Sequence, residues 1–186
     1  AGNNVGVGYY ALKANTTGTN NAALGANALD ANTTGGDNTG LGRSALGQNT
    51  TASYGTAVGY EALAANTTGA SNTAVGRTAL AASTTGANNA AVGFNSLGLN
   101  TTASDNTAVG HEAGYNNTTG PRVTYVGKGA GYTNATSGDN TAVGYNALTL
   151  NTGGANTALG ATALDANTTA AYNTAVGYAA LGANTT

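Results

Sequence analysis

The sequence predicts an all-β protein, a β-solenoid of the parallel β-roll or β-helix kind, in which each 17-residue repeat forms one coil and about eleven coils stack. Three observations lead to this prediction. A motif of the form "NTAVGYNAL", found at residues 140–148, returns at a fixed spacing along the chain. Glycine recurs at one place in every repeat. Finally, Val, Leu and Phe are too few to fill one large core.

The repeat is numbered from the Asn of "NTAVG" as position 1, and the coils are numbered 1 to 11 along the chain. Successive copies begin 17 residues apart, except that Asn156 follows Asn140 by 16 because "LNTGGAN" lacks one Thr. A one-residue deletion marks this segment as a turn, since turns absorb length changes better than strands do. The consensus is N-T-A-V-G-x-x-A-L-x-x-N-T-T-G-x-x. The copies begin at Asn4, Asn21, Asn38, Gly55, Asn72, Asn89, Asn106, Val123, Asn140, Asn156 and Asn173.

Position 5 is glycine in every copy, and we predict that these residues form a structural glycine ladder along the rod. Position 4 is always Val or Leu, and position 8 is Ala except at Ser96. Position 9 is Leu except at Gly114 and Gly131. The predicted glycine ladder consists of Gly8, Gly25, Gly42, Gly59, Gly76, Gly93, Gly110, Gly127, Gly144, Gly160 and Gly177.

Each coil is too short for a pair of helices, and its fixed Gly, Asn and Thr residues disfavour any helix. We expect one short strand over positions 2 to 6 and a second around positions 8 to 11, joined by tight turns at Gly and at Asn-Thr-Thr-Gly. Coils stacked about 4.8 Å apart give a rod about 50 Å long. The Asn residues at positions 1 and 12 are expected to hydrogen-bond along the stack as amide ladders.

Strand alternation leaves two arrangements of the first strand open. If Val or Leu at position 4 faces inward, Thr at position 2 and the residue at position 6 lie at the edge of the core. If Ala at position 3 and Gly at position 5 face inward, two sheets approach closely and an apolar ladder lies outside, where other chains must cover it. The invariant glycine favours the second arrangement, and turn geometry alone is the other explanation for it.

Composition excludes several classes of protein. Only 6% of residues are charged and the net charge is -2, with the five basic residues scattered along the chain, so no basic surface for nucleic acid is expected. No apolar run approaches the roughly 20 residues that cross a bilayer, so no membrane insertion is expected. We expect residues 1–186 to form a single uncapped solenoid array, part of a longer chain or filament. The basic residues are Lys13, Arg43, Arg77, Arg122 and Lys128.

On "NTAVGYNAL" and "ANTTG", the whole chain resembles the repeat arrays of bacterial and phage tail-fibre-like proteins. The Asn-Thr-Ala-Val-Gly core is more distantly similar to the "NSVAIG" repeats in the heads of trimeric autotransporter adhesins, which form left-handed parallel β-rolls as trimers. These resemblances imply an extracellular location, as a cell-surface appendage or virion fibre. They also imply that the partner of the chain is itself, in a homotrimer or an end-to-end filament.

No catalytic, metal-binding or cofactor-binding residues are expected, and the protein is predicted not to be an enzyme. The sole histidine, His111, is followed by Glu112, and neighbours on a strand point to opposite faces, which makes a poor acid-base pair. Asp37, Asp105 and Asp139 share position 17 but lie on non-adjacent coils, so they do not form a metal site.

Three features are candidates for binding. Position 6 carries an interrupted aromatic stripe that is suited to surface glycans or a neighbouring subunit. Thr at position 2 and in the turns forms hydroxyl rows like those of ice-binding solenoids. Asn-Thr-Thr and Asn-Ala-Thr are glycosylation sequons, although Asn-Thr-Thr-Gly is also simply a good turn. The aromatic candidates are Tyr9, Tyr60, Phe94, Tyr145 and Tyr178. The glycosylation candidates are Asn15, Asn32, Asn49, Asn66, Asn100, Asn117, Asn134, Asn167 and Asn184.

The sequence therefore predicts a structural fibre or filament protein, a stiff extracellular shaft formed by stacked coils and self-association. The alternative is a ligand-binding solenoid, either ice-binding or a glycan-binding adhesin. Coils 7 and 8, at residues 106–139, depart from the pattern because Gly114 and Gly131 replace leucine. We expect the added tyrosines, Tyr115 and Tyr132, to replace the missing leucines in a local repacking, with a bend or a specialised contact as alternatives.

Overall fold

The computed structural model describes residues 2–185, which form one parallel sheet of 11 strands whose spatial order is their order along the chain. Each strand has three residues and occupies positions 2 to 4 of its coil. No helix within residues 2–185 is long and apolar enough to cross a membrane. The strands are β1 (Val5–Val7), β2 (Ala22–Leu24), β3 (Thr39–Leu41), β4 (Thr56–Val58), β5 (Thr73–Val75), β6 (Ala90–Val92), β7 (Thr107–Val109), β8 (Thr124–Val126), β9 (Thr141–Val143), β10 (Thr157–Leu159) and β11 (Thr174–Val176).

Strand register follows the repeat. Thr56 pairs with Thr73, one full repeat later, and Thr141 pairs with Thr157 although one residue is missing between them. The deletion therefore falls in a turn and leaves the sheet in register. The predicted all-β solenoid with one repeat per coil is confirmed.

The second strand predicted around positions 8 to 11 is wrong for every coil in the described part of the chain. Positions 5, 7 and 9 instead have positive φ angles, as at Gly76 (134°), Thr78 (55°) and Leu80 (51°). Because positive φ angles alternate with negative ones, backbone N–H groups of this segment point towards both neighbouring coils, where they donate hydrogen bonds. The Thr78 N–H donates to the Tyr60 carbonyl of the preceding coil at 2.9 Å, and the Leu80 N–H donates to the Ser96 carbonyl of the following coil at 3.0 Å.

Leucine at position 9 is the largest recurrent core residue and lies in the left-handed region, with φ between 48° and 54°. This conformation costs an L-residue roughly 1 to 2 kcal/mol. Full burial of a leucine side chain contributes roughly 1.5 to 3 kcal/mol, which offsets that cost. Leu80 is 0% exposed, between the equally buried Ala74 at position 3 and Ala79 at position 8 of the same coil.

The question of which side chains face inward is settled by burial. Ala74 at position 3 is buried, whereas Val75 at position 4 is 36% exposed, so the Val and Leu ladder lies outside. The requirement for glycine at position 5 does not come from the close approach of two sheets, because the described residues form only one sheet. A Cβ on Gly76 would lie 2.5 Å from the carbonyl oxygen of Gly93, and its φ of 134° is a conformation that glycine adopts readily.

Two ladders of buried asparagine link successive coils at positions 1 and 12 as the sequence predicts, and the position 1 ladder is interrupted at Gly55 and Val123. At position 12, Asn49 Nδ2 donates to Asn32 Oδ1 at 2.8 Å and to the Ala52 carbonyl at 3.0 Å. At position 1, Asn38 Nδ2 donates to the same Ala52 carbonyl at 2.8 Å, while Asn21 Oδ1 accepts the Asn38 N–H at 3.0 Å. The asparagines therefore satisfy buried polar groups of the Thr-Thr-Gly turn and link successive coils.

The position 12 ladder is interrupted in coil 5, where Ser83 replaces asparagine. The serine side chain is too short to reach its neighbours. As a result, Ser83 Oγ and Asn66 Oδ1 of the preceding coil are buried without a hydrogen-bond partner. A buried polar atom in this state costs roughly 1 to 3 kcal/mol.

Coils 7 and 8 are repacked around a tyrosine other than the ones predicted. Tyr125 occupies position 3 of coil 8, where other coils have Ala or Gly, and it is 0% exposed. A Cβ on Gly114 would lie 2.8 Å from its ring and a Cβ on Gly131 only 2.5 Å from it, so one aromatic ring fills the space of two leucines. Tyr115 and Tyr132, predicted for this role, lie half-buried at position 10 and stack with ring centroids 5.7 Å apart.

Candidate functional site

The outward face of the sheet forms a regular surface along the rod, and we call it the outer stripe. It consists of positions 2 and 4 of each coil, because Ala or Gly at position 3 points into the core. Exposure at position 4 is 36% at Val75, 39% at Val92 and 38% at Val143. The residues at position 4 are Val7, Leu24, Leu41, Val58, Val75, Val92, Val109, Val126, Val143, Leu159 and Val176.

The outer stripe contains no charged residue at either position in any coil. Position 2 is Thr in eight coils and Val or Ala in Val5, Ala22 and Ala90. Uncharged apolar and hydroxyl side chains therefore form one surface about 50 Å long, from one end of the stack to the other. The largest apolar patch on a typical monomer is often functional, which makes the outer stripe a candidate interaction surface.

Position 6 lies next to the outer stripe, past the glycine corner, and holds the aromatic residues predicted to bind glycans. The structure places cations among these rings. Arg77 lies 5.9 Å from the Tyr60 ring centroid and 5.4 Å from that of Phe94, and Lys128 lies 5.8 Å from that of Tyr145.

The two end members of the predicted aromatic stripe do not join this arrangement. Tyr9 stacks on its neighbour Tyr10 with ring centroids 3.9 Å apart, and Tyr178 is 83% exposed. The expectation of scattered basic residues is wrong for Arg43, Arg77 and Lys128, which share position 6. The signal was present in the sequence, because position 6 of coils 3 to 9 spells Arg, Tyr, Arg, Phe, His, Lys, Tyr.

Carboxylates at position 7 lie beside two members of this row. A hydrogen bond to the Glu61 side chain raises the pKa of the exposed Tyr60 hydroxyl, with a smaller contribution from desolvation. His111 Nδ1 lies 3.5 Å from Glu112 Oε2. The prediction that His111 and Glu112 point to opposite faces is therefore wrong, because they belong to a turn of alternating φ rather than to a strand.

The predicted glycosylation sites are inside the rod. The side chains of Asn32, Asn49 and Asn100 are 0% exposed, and the other members of the interior set are equally enclosed. The half-buried end members also use their amide nitrogens, since Asn15 Nδ2 donates to the Gly18 carbonyl and Asn184 Nδ2 to Asn167 Oδ1. A glycan on the interior nitrogens is incompatible with the folded stack, so burial contradicts the glycosylation prediction at those positions, and it stays a prediction at Asn15 and Asn184. The interior set is Asn32, Asn49, Asn66, Asn100, Asn117, Asn134 and Asn167.

The threonine rows differ in what their hydroxyl groups do. At position 13 the hydroxyl donates to a backbone carbonyl of the next coil, as from Thr50 to Thr67 at 3.0 Å. These hydroxyl groups therefore link one coil to the next. The position 2 threonines lie instead on the outer stripe, where Thr73, Thr107 and Thr174 are exposed and the others are half-buried.

The aspartates at position 17 pair with the coil before them. Asp37 accepts a hydrogen bond from Asn20 at 3.0 Å, and Asp139 binds Arg122 through two nitrogens at 2.7 and 3.0 Å. The Arg122 guanidinium lowers the pKa of the Asp139 carboxyl. No group of three or more His, Cys, Asp or Glu side chains suited to a metal ion occurs within residues 2–185.

Fold and surface together define a parallel β-solenoid with a single sheet, an asparagine-bonded interior and an uncharged outer stripe. Comparison with protein-family models, with curated proteins and with solved structures finds no match to the chain.

Proposed function

We propose that the protein is a structural fibre component, a stiff rod that associates with copies of itself through the outer stripe. The observation that supports this proposal is the row of Val and Leu at position 4, exposed in most coils and half-buried at Val58 and Val126, which is flanked by Thr and carries no charge. Within this proposal the assembly is a homotrimer or an end-to-end filament, located outside the cell as a surface appendage or virion fibre.

The size of the outer stripe supports lateral association. It is about 50 Å long, and two alternate strand positions with their side chains span about 10 Å, giving roughly 500 Å². This lies within the range of the largest patch on a typical monomer, a patch that is often functional. Regular spacing helps further, because identical coils allow each Val of one rod to meet an equivalent apolar residue of the next.

Stiffness follows from the interior. Backbone hydrogen bonds, two asparagine ladders and the position 13 hydroxyls link each coil to the next. Bending the rod requires several of these bonds to lengthen together. A shaft needs this property, whereas catalysis needs reagents that the rod surface does not gather.

The proposal is tested by the mass of the native assembly, measured by light scattering together with electron microscopy of the same sample. We expect the wild type to be a multiple of the 17.8 kDa chain or a fibre. The double variant Val75→Lys, Val92→Lys places two charges in the centre of the outer stripe and is expected to be monomeric. The control Thr85→Lys, Thr102→Lys adds the same charges at exposed turn positions and is expected to assemble like the wild type.

A wild type that stays monomeric at high concentration would overturn the proposal. In that case the alternating Thr and Val rows of the outer stripe favour the second candidate function, ice binding. The specific observation is that these rows lie on one face with regular spacing along the rod. Thermal hysteresis of the monomer, abolished in the Val75→Lys, Val92→Lys variant, would support that function.

A further inference from the structure

Position 6 of coils 3 to 9 forms an unbroken row of cationic and aromatic side chains, which we call the cation stripe. One member comes from each coil, so neighbours are about 4.8 Å apart and the row is about 29 Å long. It holds three of the five Lys and Arg residues and the only histidine of the chain. The cation stripe consists of Arg43, Tyr60, Arg77, Phe94, His111, Lys128 and Tyr145.

Stacking within the row positions the cations. Arg43 and Arg77 lie 5.4 and 5.9 Å from the centroid of the Tyr60 ring, one from each neighbouring coil. The Phe94 ring is 5.4 Å from the Arg77 guanidinium on one side and 5.2 Å from the His111 ring on the other. Cation–π contacts of this kind hold a guanidinium at a fixed place while its N–H groups face solvent.

The cations of the row are not neutralised. Within residues 2–185, Arg43, Arg77 and Lys128 form no ion pair at 4.0 Å or less. Two carboxylates lie beside the row, since Glu61 neighbours Tyr60 and Glu112 Oε2 lies 3.5 Å from His111 Nδ1, and they lower the net positive charge of the row without forming an ion pair with its cations. Three exposed positive charges therefore remain in line, separated by two and three coils, or about 10 and 14 Å.

We propose that the cation stripe binds a linear acidic polysaccharide, with carboxylate groups of the polymer on Arg43, Arg77 and Lys128. A uronic acid polymer carries one carboxylate per sugar, so a single extended chain lying along the row presents carboxylates to all three cations. Aromatic surface between the cations offers apolar contact to the sugar rings. Duplex nucleic acid fits poorly, because it carries about one charge per 1.7 Å of its axis and is bound through many phosphate contacts, whereas the row presents three cations.

Fixed side chains favour such binding, because less conformational entropy is lost when the polymer docks. The cation stripe is separate from the outer stripe, so this inference does not depend on self-association. The same glycine corner that turns the chain after position 4 places position 6 on the adjacent side of the rod.

The experiment measures binding of polygalacturonate to the native assembly by calorimetry, with methyl-esterified polygalacturonate as the uncharged control polymer. The triple variant Arg43→Gln, Arg77→Gln, Lys128→Gln is expected to bind at least tenfold more weakly than the wild type. The matched variant Lys13→Gln, Arg122→Gln, which removes basic residues elsewhere, is expected to stay within twofold. Binding is also expected to weaken from about 0.05 M to about 0.5 M salt, because exposed charges are screened.

Circular dichroism establishes that the variants are folded, and all three substituted side chains of the triple variant are exposed. Equal binding by the wild type and the triple variant would overturn the proposal. So would equal binding of the esterified and the acidic polymer, or an absence of binding at low salt. Tighter, stripe-dependent binding of single-stranded DNA than of polygalacturonate would instead identify a nucleic-acid surface.

Discussion

Exchange of Tyr125 for Ala tests whether one aromatic side chain replaces two leucines in the core. The substitution restores the consensus residue at position 3 but leaves Gly114 and Gly131 without side chains. Nothing else in coils 7 and 8 is placed to fill the space, since Tyr115 and Tyr132 lie outside at position 10. The expected result is a cavity in the middle of the rod.

The magnitude follows from two losses. Removal of a buried aromatic side chain typically costs about 3 to 5 kcal/mol. The Tyr125 hydroxyl also accepts a 2.7 Å hydrogen bond from Asn134 Nδ2, and loss of that bond adds about 1 kcal/mol. We therefore expect the free energy of unfolding to fall by about 4 to 6 kcal/mol.

The reverse exchange makes the test specific. Gly114→Leu with Gly131→Leu is expected to destabilise the wild type, because each new Cβ would lie within 2.8 Å of the Tyr125 ring. Combined with Tyr125→Ala, the same two leucines restore the consensus core, and their φ angles of 61° and 62° are close to those of leucine in other coils. The triple variant should therefore recover most of the loss, with a favourable coupling of at least about 3 kcal/mol.

The assay is urea unfolding followed by circular dichroism, with amide hydrogen exchange to locate the change, because repeat arrays can unfold in parts. Exchange should accelerate first in coils 7 and 8 of the Tyr125→Ala variant. Tyr132→Ala, which removes a half-buried partner of the Tyr115 stack, is the control and is expected to cost about 1 kcal/mol. A Tyr125→Ala cost below that of the control, or a triple variant no more stable than Tyr125→Ala alone, would refute the reasoning.

Two further predictions concern the stack itself. Ser83→Asn is expected to raise the free energy of unfolding by about 1 to 3 kcal/mol, because the new amide can pair with Asn66 and Asn100; urea unfolding measures this, and a neutral or destabilising result would contradict it. Gly93→Ala is expected to cost about 3 kcal/mol or more, because its Cβ would lie 2.5 Å from a carbonyl oxygen at a φ of 132°. The control Gly40→Ala, at a place that alanine fills in most coils, should cost less than about 1 kcal/mol; similar losses in the two variants would contradict the strain argument.

The features that could be predicted from the sequence are those that recur in every coil of the stack. A constant 17-residue spacing implies that each residue lies above its own copy, and this alone places Asn above Asn at positions 1 and 12. The missing Thr near Thr152 could be assigned to a turn for the same reason, because the sheet on either side must keep its register.

Local rules failed where the backbone takes an unusual path. Positions 7 and 9 have positive φ but carry Thr78 and Leu80 in coil 5, residues that give no sign of a left-handed conformation. Strand alternation therefore predicted a second strand and separated His111 from Glu112. The glycosylation prediction failed in the interior for a different reason. The Asn-Thr-Thr motif identifies an asparagine that can accept a glycan, but it does not show that stacking buries that asparagine, as it buries Asn49.

The cation stripe was missed because charge was judged along the chain, where Arg43 and Arg77 are 34 residues apart. In a solenoid the relevant neighbours are one repeat away, so two residues separated by two repeats lie about 10 Å apart. Surface chemistry in this fold must therefore be examined position by position. When residues at the same repeat position are compared, position 4 is uncharged and position 6 is rich in cations, with only the position 5 glycine between them. The two rows therefore form two surfaces of different chemistry. Under the two proposals, copies of the rod would associate through Val75 and its equivalents, and Arg77 would stay at the margin of that contact, open to the polysaccharide.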